Sequence, residues 1–345
     1  MRKIKNILVL VLVIIFVLFC FFRADCIKSA VYDAVMRCLN VIIPSLYAMM
    51  IISGFLVRSN IASCGQIFCG LFSMLSGYPV GAKILYSQYI TKSISKKDAE
   101  LLSGIFFGAG GAFIFGCTSY GGELILISNI SANIILSIVL LMYFRKNPPE
   151  KAQKKKICFS VEMLVESVNS AGRSMAEICF TVMAFSVITA VLREFGIISS
   201  IAGILSELCE LSPETAENIV CAFLDVTAVS DITQQNYNLI PIISGLISFG
   251  GLCVFFQISA IFKGRLSMFP LIISRLIAGI SSGIICRILM PIFIKDESIA
   301  VSSMSSQLHQ SASPVPSIIL IIMTVILFYE YEKNFQKPLD KSVFL

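Results

Sequence analysis

Ser76-Gly77-Tyr78-Pro79-Val80-Gly81-Ala82-Lys83 interrupts the chain directly after an apolar run from Ile61 to Leu75. Proline brings no backbone donor to a helix, and glycine readily leaves right-handed helical backbone. At membrane depth no water satisfies the groups so freed, so an interruption is tolerated only where protein buries it or where it lines a cavity. A short apolar stretch ending in this break therefore predicts a re-entrant hairpin or a broken helix, not a plain span.

The rest of the sequence places that break in a bilayer. Hydrophobic residues make up 57% of the 345 and charged residues 14%, against about 25% charged in soluble domains. Mean hydropathy is +0.87, and several runs approach the roughly 20 apolar residues that a spanning helix needs. No stretch is long and polar enough for a separate soluble domain. The excess of 27 basic over 21 acidic residues is read through its placement, because Lys and Arg beside membrane helices mark the cytoplasmic side. A nucleic-acid partner is not expected. The 12 cysteines are scattered without a C-x-x-C pair, which suits small buried hydrophobes better than a disulfide frame or zinc site. With no Trp, any interfacial aromatic belt must come from Tyr and Phe.

Arg2, Lys3 and Lys5 precede an apolar run from Ile7 to Phe22, the form of a signal or signal anchor. Phe19, Phe21, Phe22 and Arg23 are poor neighbours for a signal peptidase, so an uncleaved first helix with a cytoplasmic N-terminus is expected. A second segment, Ala30 to Val57, should kink at Pro44. Lys92, Lys96 and Lys97 mark a cytoplasmic loop, followed by a glycine-rich helix from Asp98 to Cys117 and another from Gly121 to Phe144. The stretch 145–156 holds six basic residues against Glu150 and is the strongest cytoplasmic signal in the chain. An interfacial helix from Cys158 to Glu177, a span from Ile178 to Leu192, and helices over Ala216 to Ile232, Leu239 to Phe262, Met268 to Ile294 and Ser317 to Tyr329 complete the pattern.

The expected fold is an all-α polytopic transmembrane bundle of about nine to eleven membrane segments, some broken or re-entrant. Its parts are a signal-anchor helix (1–29), a first membrane repeat (30–144), a basic linker with an interfacial helix (145–172), a second repeat (173–265) and C-terminal helices with a tail (266–345). The repeat rests on Ser95-x-x-x-Ala99-Glu100 with Phe106 against Ser212-x-x-x-Ala216-Glu217 with Phe223, and on Ser119-Tyr120-Gly121-Gly122 against Ser248-Phe249-Gly250-Gly251. The first Ser-x-x-x-Ala-Glu lies in a Lys-rich loop. The second lies in a region, Glu194 to Phe262, without Lys or Arg. Opposite sides follow, as in the inverted repeats of secondary transporters. Strict inversion would leave Lys263 and Arg265 outside.

The Gly77-Tyr78-Pro79-Val80-Gly81-Ala82-Lys83 element, Pro44-Ser45-Leu46, and Phe249-Gly250-Gly251-Leu252 with Gln257 resemble the YlbJ (SpoVV-like) sporulation integral membrane proteins, within the nucleoside-recognition or Gate-domain superfamily. The resemblance covers roughly Ala30 to Pro291. It implies a multi-pass protein of the bacterial inner membrane, in the mother-cell or outer forespore membrane, that moves dipicolinic acid during sporulation. Three departures stand out. Phe107-Gly108-Ala109-Gly110-Gly111 replaces a polar Asn-Asn-Ser-Gly-Pro stretch, Asp225-Val226-Thr227 replaces a Glu-x-Thr element, and Phe255 stands where a His precedes the Gln.

Candidate site residues follow from the cost of polarity in lipid. Asp225 and Asp231 lie in an apolar segment, where an ionisable group costs at least about 2.5 kcal/mol, and each could bind the proton or cation that couples transport. Thr227 would line a polar cavity beside Asp225. Gly77, Tyr78, Pro79 and Gly81 would expose backbone amides at a helix break, which attract anions. Lys83 would strengthen that attraction or snorkel to the interface. Gly110, Gly111, Gly250 and Gly251 mark further breaks or close packing. Gln257 and Arg275 should face the bundle interior. His309 has no partner, so metal and catalytic roles, cofactors and an enzyme activity are not expected. The expected partners are the lipid bilayer and a small anionic solute, with homo-oligomers or other sporulation membrane proteins left open. A nucleoside-like solute carrier and a non-transporting structural or assembly protein of the spore envelope are the alternatives.

Overall fold

The computed structural model describes residues 10, 13–14, 16–61, 66–105, 107–118, 120–146, 157–232 and 237–293. Phe106, Ser119, Thr233, most of the basic stretch 145–156, the loop holding His309 and the helix expected over Ser317 to Tyr329 lie outside the described residues.

Every regular element among the described residues is helical. Among them, five helical stretches of the described residues are long and apolar enough to cross a membrane: Ala24–Arg58, Gly122–Leu140, Val161–Glu194, Ile240–Phe262 and Phe269–Phe293. The chain is thus an all-α multi-pass bundle. The first stretch joins α1 (Ala24–Arg37) to α2 (Ile43–Arg58) through a π-turn, Cys38–Ile42. Pro44 cannot donate to the carbonyl four residues back, and the chain loosens just ahead of it, where the Ile43 N–H reaches Cys38 O.

Next come α3 (Gln66–Ser76) and α4 (Tyr78–Ile90), separated at Gly77. Where one glycine-rich helix from Asp98 to Cys117 is expected, the structure has α5 (Lys96–Leu102), non-helical backbone over 107–110, and α6 (Gly111–Cys117). The glycines serve contact here, not helix packing. A Cβ on Gly108 would lie 2.8 Å from Met74 O, so this backbone runs against α3. Then α7 (Gly122–Lys146) and α8 (Val161–Glu194) follow. The latter replaces the expected pair Cys158 to Glu177 and Ile178 to Leu192 with one helix. Ser160 caps it by accepting the Met163 N–H at 3.2 Å, and no proline interrupts it.

The remaining helices are α9 (Ile197–Cys209), α10 (Pro213–Leu224), α11 (Ile240–Phe249), α12 (Gly251–Phe262) and α13 (Phe269–Phe293), with a 3-10 turn at Val226–Asp231. The helix expected to reach Ile232 stops at Leu224, because Asp225 takes extended backbone and its carboxylate accepts the Thr227 N–H. The one expected over Leu239 to Phe262 breaks at Gly250, which has φ +93°.

The bundle turns a soluble protein inside out. On α13, Ile273, Ile277, Ile280, Ile284 and Ile288 are exposed at helical spacing, while Arg275, Ala278, Ser282 and Cys286 are buried. Small residues let backbones approach where hydrophobic exclusion offers no drive. A Cβ on Gly279 would lie 3.0 Å from Gly245 O, and Ser244 and Ser282 hydroxyls meet at 2.8 Å.

Contacts fix the direction of each crossing. Arg23 pairs with Glu194 at 3.4 Å and Arg58 with Glu166 at 3.1 Å, so α1–α2 and α8 are antiparallel. The Ser267 N–H donates to Glu100 Oε1 at 2.9 Å, which puts the α12–α13 turn beside α5. Lys263 and Arg265 therefore share one end of the bundle with Lys92, Lys96 and Lys97, correcting the strict inversion that would separate them. Arg145 and Lys146, at the close of α7, lie at this same basic end: Asn133 meets Arg275 early in α13, while the preceding turn's Asn129 reaches Ser244, whose hydroxyl meets Ser282 further along α13, so the two helices are antiparallel. Ser95 and Ser212 both cap helices, accepting the N–H three residues on at 3.2 Å. The second pairing differs in position: Gly121-Gly122 opens a span, whereas Gly250-Gly251 divides one.

Candidate functional site

Four interruptions meet inside the bundle. The α3–α4 pair enters from the basic end and reverses at Gly77, whose φ of +103° and ψ of 160° suit glycine alone. A Cβ on Gly110 would lie 3.2 Å from Gly77 N, so the 107–110 segment abuts that tip main chain to main chain. From the opposite end, α10 reaches Asp225. A Cβ on Gly251 would lie 2.9 Å from Val226 N, and one on Gly250 would lie 3.3 Å from the Tyr78 ring. Tyr78 binds the assembly by donating its hydroxyl to Ile247 O in the last turn of α11.

Gly77, Tyr78, Pro79, Gly110, Asp225, Thr227 and Gln257 line one cavity of about 30 Å³, together with apolar neighbours such as Phe113 and Val182. That space takes a water or two. Asp225 is 4% exposed, and Thr227 supplies its hydrogen bonds, an N–H to Oδ1 at 3.1 Å and a hydroxyl to Oδ2 at 2.8 Å. Among the described residues no cation stands within ion-pairing distance of it. Gln257 is buried with its amide 3.4 Å from Cys253 Sγ.

Asp225 also borders a second, larger space of about 370 Å³, lined by Asp33 and Arg37 of α1, Ser186, Thr189 and Arg193 of α8, Cys221, and Asp231. This vestibule sits toward the end opposite the basic one, where α8 terminates. Its size lies within the roughly 300–1,000 Å³ typical of small-molecule pockets, so in this conformation a solute fits the vestibule and not the inner cavity. Arg37 is its hub. Nη1 lies 3.4 Å from Asp231 Oδ2 and Nη2 donates to Ser186 Oγ at 3.0 Å.

The other expected residues sit elsewhere. Gly81 lies in the first turn of α4, and Gly111 opens α6. Lys83 lines neither space and points its Nζ to Ser170 O at 3.4 Å. Asp231 is half exposed in the vestibule. Arg275 is fully buried, as expected, and binds Gly104 O, Phe107 O and Asn133 Oδ1, holding the unwound segment in place.

Sequence reasoning missed Asp33, Arg37, Thr189 and Arg193. For Arg37 a signal existed, since an ionisable residue inside the apolar run Ala30 to Val57 carries the same cost as Asp225. Comparison with protein-family models, with curated proteins and with solved structures finds no match to this chain.

Proposed function

We propose that this protein is a permease, or the membrane component of one, for a small anionic metabolite. One observation carries the proposal: Asp225, a buried carboxylate without a cationic partner among the described residues, stands between a solute-sized vestibule and a small inner cavity where interrupted helices from both ends meet. Broken helices at mid-depth expose main-chain polar groups where a solute or ion can use them. A carboxylate held only by Thr227 is a natural seat for a proton or cation that offsets an anion's charge. Arg37 and Arg193 give the vestibule cationic groups for such an anion. The resemblance of the Gly77–Lys83 and Phe249–Leu252 elements supports dipicolinic acid as the solute, moved during sporulation across a bacterial inner membrane.

Uptake of radiolabelled dipicolinate and of a nucleoside into proteoliposomes, with and without a proton gradient, tests this. Wild-type protein should accumulate dipicolinate, Asp225→Asn should abolish gradient dependence while still inserting, and Lys83→Met, remote from both spaces, should transport. Nucleoside accumulation alone would replace the solute class. Failure of wild-type to carry either would favour a structural role in the spore envelope.

A further inference from the structure

Two residues lining the vestibule carry a polar atom with no hydrogen-bond partner among the described residues. Arg37 Nε and Thr189 Oγ1 are shielded from water and lack hydrogen-bond partners, and both residues line the same 370 Å³ space. Thr189 stands one turn along α8 from Ser186, the residue that receives Arg37 Nη2. Both atoms are covered by surrounding protein, and an unmet guanidinium edge and an unmet hydroxyl are a cost that a shift of the Arg37 side chain toward the open space would relieve. A guanidinium is a planar fork that matches a carboxylate with two parallel N–H donors.

Among the described residues one acid, Asp231, engages Arg37, and it does so poorly. Asp231 reaches Nη1 at 3.4 Å with its side chain 55% exposed, longer than the about 2.7–2.9 Å of a strong charge-assisted bond. Asp33 lies one turn before Arg37 on α1 and makes no ion pair with it, and Arg193 turns toward Glu217 at 4.0 Å. Asp231 thus holds the guanidinium loosely without filling its Nε edge.

Building on the permease reading, we infer that Arg37 and Thr189 form a carboxylate-recognition site, with Asp231 as the resident partner that an incoming carboxylate displaces. The solute carboxylate takes the Nη1 position that Asp231 leaves, and the Arg37 side chain, released from Asp231, turns its covered Nε edge toward the same group on the side of Thr189. The solute class is a compact organic acid. Arg193, one turn beyond Thr189 on α8, lines the same space and takes a second carboxylate where the solute has one.

The test measures binding, independently of transport, on the full chain in phosphatidylcholine nanodiscs with radiolabelled acetate, succinate and pyridine-2,6-dicarboxylate. At least one diacid should bind, and more tightly than acetate. Arg37→Gln should weaken it by about tenfold or more, the loss of a charged hydrogen bond, and Arg37→Lys, which keeps charge but not the fork, should not restore it. Asp231→Asn should tighten binding, a gain that misfolding cannot mimic. Unchanged affinity in folded Arg37→Gln, weaker binding in Asp231→Asn, or no binding of any of the three acids to the wild-type chain overturns the assignment. Phosphatidylglycerol in the disc should leave the affinity unchanged, and a fall would assign the fork to lipid headgroups instead. Binding without uptake in proteoliposomes would sink the permease reading and leave this site standing.

Discussion

Gly77→Ala should destabilise the protein far more than Gly196→Ala, although both glycines have positive φ. At Gly77 the angles of +103° and 160° fall where only glycine is comfortable, a strain of about 1–3 kcal/mol for any other residue. The added methyl would also lie 2.8 Å from Leu46 Cδ2, a side chain that is itself buried, and overpacking of this kind costs about 1–3 kcal/mol. The two together give about 2–6 kcal/mol. At Gly196 φ is +71° and nothing lies within 4 Å of the new methyl, so only the left-handed penalty of about 1–2 kcal/mol applies. Thermal and denaturant unfolding of both variants in one micelle system, followed with a thiol-reactive dye on the native cysteines, compares them directly. Adding Leu46→Ala to Gly77→Ala should remove the steric share and leave the backbone share. If Gly77→Ala unfolds at the same midpoint as Gly196→Ala, the tip at Gly77 is not built as described.

Replacing Arg275 with Met should cost about 2–5 kcal/mol, from three interior hydrogen bonds each worth about 0.6–1.7 kcal/mol in a membrane bundle. Amide hydrogen exchange in 103–110 should rise selectively, and unchanged protection there would show that the guanidinium does not hold that segment. Single cysteines at Lys97 and Lys263, placed in a cysteine-free chain, should react with an impermeant maleimide from the same side of the membrane, and one at Ser199 from the other. Labelling of Lys97 and Lys263 positions from opposite sides would refute the crossing order.

Much of the fold was legible because membrane helices announce themselves by length and apolarity. The Gly-Tyr-Pro break at Gly77, the seat of Asp225 and the burial of Arg275 all follow from one cost, that of polar groups in hydrocarbon. What escaped depends on contacts between distant segments. Nothing local tells Gly108 and Gly110 that α3 and its tip will press against them, so they look like helix packing. The polar start of α8 resembles an interfacial helix until its partner α2 is in place, with Glu166 meeting Arg58. Lys83, adjacent to the break in sequence, is carried away from the cavity by a turn and a half of α4. Arg37 was hidden among apolar neighbours, and only the approach of α8 gives it a site.

The meeting of Gly77 with Gly110 also sets the character of any opening toward the basic end. Side-chain gates yield by degrees, as one rotamer after another swings aside. Here bare peptide rests on bare peptide, and no rotamer can part them. An entire helical arm must shift, so passage at this seam would be all-or-none.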